Sequence, residues 1–284
     1  MSGDRPDPTP ATPDPTGAAS PEPRFRVAPA PSPEPRFRVA PAPASPTFLQ
    51  RVRLAPVTYG ICAVNVLVFL VIETHGGTTN ALNLVRWGAL ERSHVWDGEY
   101  FRFVTPMFIH IGWIHLAWNT YYLAGWCSPV ERVLGRGKFL FTYFATGMGA
   151  CAASLLGHDA PGSAGASGAA FGIVAMTMAL RWNVLGSWNA FTADPWVRRL
   201  GGTLVLWMVI GTYLNFDNFA HAGGFVTGAL LGFCFVGIPS LSKEGRATLI
   251  GAFLVALGAL LVVAAHRWPW EASMWEEYRS RMGG

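Results

Sequence analysis

The chain has 284 residues, of which 51% are hydrophobic and only 13% charged. A soluble domain carries about 25% charge, so these totals argue against an ordinary water-soluble fold and for a polytopic membrane protein. The formal net charge is +4, but the basic residues are dispersed, with no basic stripe interleaved with aromatics, which excludes nucleic acid as a partner.

Residues 1–46 form the first segment, a tail rich in Pro, Ala, Ser and Arg. A direct repeat runs through it: Ser20 to Pro31 reads SPEPRFRVAPAP, and Ser32 to Pro43 reads the same. Two copies do not build a solenoid, and proline at this density leaves no core to form, so the segment is expected to be a disordered cytoplasmic tail. It holds no apolar signal-peptide region, and Asp4, Asp7, Asp14, Glu22 and Glu34 argue against a transit peptide.

Seven apolar runs follow, about Val57 to Ile72, Ile111 to Pro129, Phe139 to Leu156, Gly168 to Trp182, Leu200 to Tyr213, Phe219 to Ile238 and Ala247 to Ala265. Several are shorter than the ~20 residues of a typical spanning helix, so some helices are expected to begin below the membrane surface. The connection between the first two runs, about Glu73 to His110, is long and carries Trp87, Trp96, Tyr100, Phe101, Phe103 and Phe108. A loop so apolar is expected to lie partly in the outer leaflet. The tail arginines, Arg132, Arg136, Lys138, Arg181, Arg198, Arg199, Lys243 and Arg246 fall on one side of seven alternating spans. Fewer fall on the other, namely Arg86, Arg92, Arg102, Arg267, Arg279 and Arg281. The positive-inside rule then puts the N-terminus in the cytoplasm and the C-terminus outside. Trp268, Trp270, Trp275 and Tyr278 suit an interface near that end.

Ionisable and amide groups inside a span are costly and ask for a reason. His115 and Asn119 are one turn apart on one face of the second run. His221 opens the sixth run, and Gly224 and Gly228 leave its face nearly bare. Gly168 and Gly172 give the fourth run the same small-residue spacing, just after Ser167, so the two helices can approach closely. The expected chemistry is a Ser167 nucleophile with His221 as general base and acid. Its oxyanion donors come from the Ser167 N–H, the Asn119 amide and a His115 N–H. Asp217, four residues before His221, reads as a loop or cap residue, so a Ser–His dyad is favoured. His110 with His115 is not metal spacing on one helical face, and Cys62, Cys127, Cys151 and Cys234 read as packing residues.

These motifs resemble those of the rhomboid family of intramembrane serine proteases, over about Glu99 to Ile238. Phe101-Arg102 with Thr105 and His110 resembles the first-loop segment, where Trp is usual at Phe101. His115-x-x-x-Asn119 resembles the oxyanion pair, Glu131-x-x-x-Gly135 the motif after the second helix, and Gly165-Ala166-Ser167-Gly168 the nucleophile motif. Ala220-His221 with Gly224 and Gly228 resembles the catalytic-histidine helix. Phe171 stands where Tyr often packs on that histidine. The resemblance implies an all-α polytopic fold, a six-helix core at 47–240 with a seventh helix and aromatic-rich tail at 241–284. It also implies cleavage of single-pass transmembrane proteins near the outer membrane face, with no metal or cofactor. Gly165, Phe171 and His110 would support the site. The absence of a targeting segment in the sequence suggests a bacterial host, and with the topology above the plasma membrane is the expected location. The competing readings are a catalytically dead rhomboid-like protein that binds membrane clients, and a transporter, for which no repeat among the spans is found.

Overall fold

The computed structural model describes residues 46–157, 162–236 and 242–266. The repeated tail and the aromatic set from Trp268 to Tyr278 therefore lie outside the described residues. The described chain is helical, with one isolated antiparallel bridge between Leu90 and Ser163. It is an integral, multi-pass membrane protein: the helices Pro56–Thr74, Arg136–Gly157, Ser167–Leu185, Asn218–Phe235 and Lys243–Ala265 are long and apolar enough to cross a bilayer.

Helix α1, Phe48–Leu54, begins with a capping box in which Thr47 and Gln50 satisfy each other's backbone N–H groups. Pro56 then opens α2, Pro56–Thr74. The loop after α2 is ordered by α3, Ala81–Arg86, α4, Arg92–Trp96, and 3-10 turns at Tyr100–Phe103 and Thr105–Phe108. Arg102 is the buried cross-link of this loop. Its guanidinium donates to the Val85 carbonyl at 2.7 Å, the Ala89 carbonyl at 2.6 Å and the Glu99 carboxylate at 2.7 Å. That pairing holds the Glu99 carboxyl below the usual carboxylate range. Thr105 Oγ1 donates to the Gly88 carbonyl at 2.6 Å. Tyr100 and Phe101 stay more than half exposed.

The second apolar run ends near Pro129, and the helix continues past it. α5, Gly112–Tyr122, passes through a π-helical stretch at Leu123–Cys127 into α6, Ser128–Leu134. Widening the ladder makes room for the Pro129 ring and its missing N–H, and Ser128 Oγ donates to the Ala124 carbonyl at 2.6 Å. The other runs lie in α7, Arg136–Gly157, α8, Ser167–Leu185, α10, Pro195–Leu214, α11, Asn218–Val236, and α12, Lys243–Ala265. A short α9, Trp188–Ala193, links α8 to α10. Asp194 caps α10 through the Trp196 and Val197 N–H groups, and the Arg181 guanidinium beside it holds its carboxyl below the usual range.

The centre of the bundle is α7, α8 and α11, packed almost backbone to backbone. A β-carbon on Gly224 would overlap the Gly168 carbonyl, and one on Gly228 the Gly172 carbonyl. On the α7 side, Thr146 Oγ1 reaches the Ala169 carbonyl at 3.2 Å. The outer faces carry the opposite pattern: Leu67, Val205, Val255 and Val262 are more than half exposed, as lipid solvent allows.

Glu131 ties α6 to the start of α2. Only 2% exposed, its carboxylate accepts from the Val57 N–H at 2.9 Å and from both the Thr58 N–H and Oγ1 at 2.7 Å. It thereby serves donors that the first turn of a helix cannot pair itself. Glu131→Ala is expected to cost on the order of 3 kcal/mol, because it strands those buried donors. A lower unfolding midpoint in detergent reads the loss, with Arg132→Ala, exposed on the next residue, as the silent control.

Candidate active site

Ser167 is the first residue of α8 and His221 lies in the first turn of α11. The glycine contact between these helices brings His221 Nε2 to 2.9 Å from Ser167 Oγ. Phe171, one turn after the serine, stacks on the imidazole with ring centroids 4.3 Å apart and planes 4° from parallel. The ring that stands in place of a tyrosine therefore keeps the stacking surface. His221 Nδ1 is buried and has no hydrogen-bond partner among the described residues. Asp217 does not serve it. Its Oδ1 accepts from the Ala220 N–H at 2.8 Å, and its Oδ2 accepts from Ser154 Oγ. That is an N-cap arrangement for α11, so among the described residues no carboxylate is hydrogen-bonded to the imidazole.

Position 165 must be glycine on two counts. Its φ is +132°, and a β-carbon there would lie 2.9 Å from His115 Nε2 and 3.7 Å from Ser167 Oγ. The bare backbone leaves a space bounded by the serine hydroxyl and the histidine. His115 Nδ1 accepts from the Ile111 N–H at 3.2 Å, which assigns the ring proton to Nε2, on the side of that space. Asn119 Nδ2 donates one hydrogen to the His115 carbonyl at 3.0 Å. The amide has a second hydrogen to offer. The α8 N-terminus adds main-chain N–H groups with no partner inside the helix. Ser167, His221, His115, Asn119, Gly165 and Phe171 all line one cavity of about 560 Å³. His110 stands behind it, fully buried. Its Nε2 faces the Ala166 N–H at 3.4 Å and its ring lies 5.4 Å from that of His115.

Such a site can do one kind of chemistry well. A hydroxyl hydrogen-bonded to a neutral imidazole can give up its proton on attacking an electrophile. Donors preset around the adjacent space stabilise an oxyanion without having to reorganise.

Some of the surroundings escape a reading by residue type. Phe216, in the turn before α11, stacks over His115 at 6.4 Å, and Trp118 of α5 meets Trp207 of α10 at 5.4 Å across the cavity wall. The approach to Ser167 is held by main-chain bonds: the Gly165 N–H to the Pro106 carbonyl at 2.8 Å, and a reciprocal pair between Leu90 and Ser163 at 2.8 and 3.0 Å.

Comparison with known proteins converges on the same stretch. Residues 97–238, half of the chain, match the family model described as Rhomboid domain. Rhomboid protease GluP of Bacillus subtilis (strain 168) is 36% identical over 205 residues, which are 70% of this chain and 38% of that protein. Rhomboid-type serine protease 2 of Emericella nidulans is 32% identical over 149 residues, 51% of this chain and 29% of that protein. Putative rhomboid protease YdcA of Bacillus subtilis (strain 168) is 26% identical over 198 residues, which cover 93% of its own length. The chain thus spans well under half the length of the first two.

Proposed function

Because the chain belongs to the rhomboid family, we propose that it is an intramembrane serine endopeptidase that cleaves single-pass transmembrane proteins through a Ser167–His221 dyad. The observation that carries this reading is the 2.9 Å contact between Ser167 Oγ and His221 Nε2, inside a cavity that also takes His115 and Asn119.

The reaction follows from that geometry. Ser167 Oγ attacks the scissile carbonyl carbon as its proton passes to His221 Nε2. The resulting oxyanion settles in the space beside Gly165, facing His115 Nε2–H, the free Asn119 amide hydrogen and the Ser167 N–H. Collapse breaks the C–N bond, and the imidazolium returns its proton to the departing amine. Water then attacks the acyl carbon as His221 takes its proton, and collapse breaks the bond to Ser167 Oγ, which takes that proton back from the imidazolium as the acid product leaves. Every proton moves between Ser167, His221, the substrate and water. A transmembrane helix must unwind to present its carbonyl, and the resemblance to rhomboid proteases implies substrates with helix-breaking residues and a small side chain before the cut.

The ends of the bundle support an orientation. The exposed arginines of α1, Arg132, Arg136, Arg198, Arg199 and Lys243 lie at one end of the helices, and the dyad lies at the other. With the basic end in the cytoplasm of a bacterial host, the dyad opens toward the outer face of the plasma membrane. The tail at 1–46 is then cytoplasmic, 47–240 is the protease core, and α12 is a seventh span added to it.

Cleavage of a single-pass model substrate in liposomes tests the reading. Product is expected from the intact protein and is expected to fall to background with Ser167→Ala. Equal product from both would overturn it.

A further inference from the structure

The seventh helix has no residue at the dyad, yet its C-terminal end is joined to the dyad through a short series of contacts. Ala264 of α12 belongs to one apolar cluster that also takes Cys151, Ala152 and Leu155 of α7 and Leu90, Val95 and Phe103 of the first loop, with Leu260, Leu261 and Ala265 packed against that cluster. Val95 and Ala152 are fully buried there. The same loop is fastened to the same end of α7 by Arg92, whose guanidinium donates to the Leu155 carbonyl, one of the last carbonyls of that helix. Leu90 is the member that matters for chemistry. Its side chain is in the cluster while its backbone forms the reciprocal hydrogen-bonded pair with Ser163. Ser163 is four residues before Ser167, and the next fastening, the Gly165 N–H on the Pro106 carbonyl, comes from the same loop.

We propose that the C-terminal end of α12 is a positioning element for the nucleophile: Leu260, Leu261 and Ala264 complete the cluster that fixes Leu90, and Leu90 fixes the strand-like segment leading into Ser167. This rests on the protease reading above. The physical case is one of support. The segment at 162–166 is not helical and holds glycines at positive φ at both Gly162 and Gly165, so its course depends on external hydrogen bonds. A reacting group misplaced by about 1 Å can lose about 10²-fold in rate. One face of α12 points outward, with Val255 and Val262 74% and 70% exposed and open space where a β-carbon on Gly251 or Gly258 would stand, while Phe253 and Leu257 in mid-helix are buried with Ala145 of α7 and Leu231 of α11. Helix α12 is therefore held to α7 and α11 at its middle, and only its C-terminal end reaches the cluster that contains the loop.

The test uses the full chain with Leu260→Ala/Leu261→Ala, the volume-conserving Leu260→Met/Leu261→Met, and the lipid-facing Val262→Ala. Two quantities are read: the rate of Ser167 labelling by a fluorophosphonate, and kcat and KM on a model transmembrane substrate, with helical content and unfolding midpoint alongside. The alanine pair is expected to slow labelling and kcat about tenfold at unchanged KM, while remaining folded at the assay temperature. The methionine pair is expected to restore the rate, and Val262→Ala to leave it unchanged. Labelling by the alanine pair at the intact rate would overturn the proposal, and so would unfolding of that pair, since α12 would then hold the fold rather than the loop. Failure of the protease reading looks different: the intact protein itself would take up no more label than Ser167→Ala.

Discussion

Replacing His221 with alanine is expected to lower cleavage to below about one thousandth of the intact rate, and the double variant Ser167→Ala/His221→Ala to be no worse than either single one. The reason is that the two side chains act on one proton. A serine hydroxyl without a base is a weak nucleophile, and a base without the hydroxyl has nothing to deprotonate, so removing either removes the step. The buried His221 Nδ1 has no hydrogen-bond partner among the described residues, so none of them orients the imidazole through that nitrogen. The measurement is product from a single-pass substrate in liposomes, with helical content checked, because His221→Ala also deprives Phe171 of its stacking partner at 4.3 Å. Additive losses in the double variant would show that Ser167 and His221 act in separate steps and would remove the dyad. A client-binding role without chemistry makes a distinct forecast, namely no product from any of the proteins, the intact one included.

How far the site can be read from sequence depends on whether a residue announces itself by chemistry or by main-chain position. His115 and Asn119 are legible because i and i+4 share a helical face and neither belongs in lipid. Ser167 and His221 are legible as a pair because glycines beside both signal a close approach, and the structure puts their helices in that contact. Asp217 illustrates the use of a negative reading: its place just before α11 marks it as a cap, and its oxygens are indeed taken by the Ala220 N–H and Ser154. What stays illegible is held by atoms every residue owns. Nothing in Leu90 or Pro106 as residue types points to Ser163 or Gly165, because the bonds run between backbone groups brought together by the loop's folding. The course of the helix past the second apolar run is illegible for a related reason. Proline normally stops a helix, and the π-helical stretch that accommodates Pro129 is a property of the ladder rather than of the side chains.

Adding a single methyl group at Gly224 is expected to cost both stability and activity. Gly224 lies one turn after His221, and its would-be β-carbon falls on the Gly168 carbonyl, the residue next to Ser167. Backbone has no rotamer to yield, so α8 and α11 must separate. Overpacking of this kind costs about 1–3 kcal/mol, more where nothing can relax, and a shift of the helices pulls Ser167 Oγ and His221 Nε2 beyond their 2.9 Å contact. Gly224→Ala is therefore expected to lower the unfolding midpoint and to reduce kcat about 10²-fold or more, although no group of the dyad is altered. Gly251→Ala on α12 adds the same methyl where nothing lies within 4 Å, and is expected to leave stability within about 0.5 kcal/mol and activity unchanged. If Gly224→Ala cleaved as fast as Gly251→Ala, the glycines between the two helices could not be what sets the distance over which the proton moves. Gly228→Ala refines the point. It clashes with the Gly172 carbonyl one turn deeper, so it shares the strain but is further from the reacting atoms. A loss of stability comparable to Gly224→Ala, with a smaller loss of kcat, is the pattern expected if distance along the α8–α11 seam converts packing strain into catalytic misalignment.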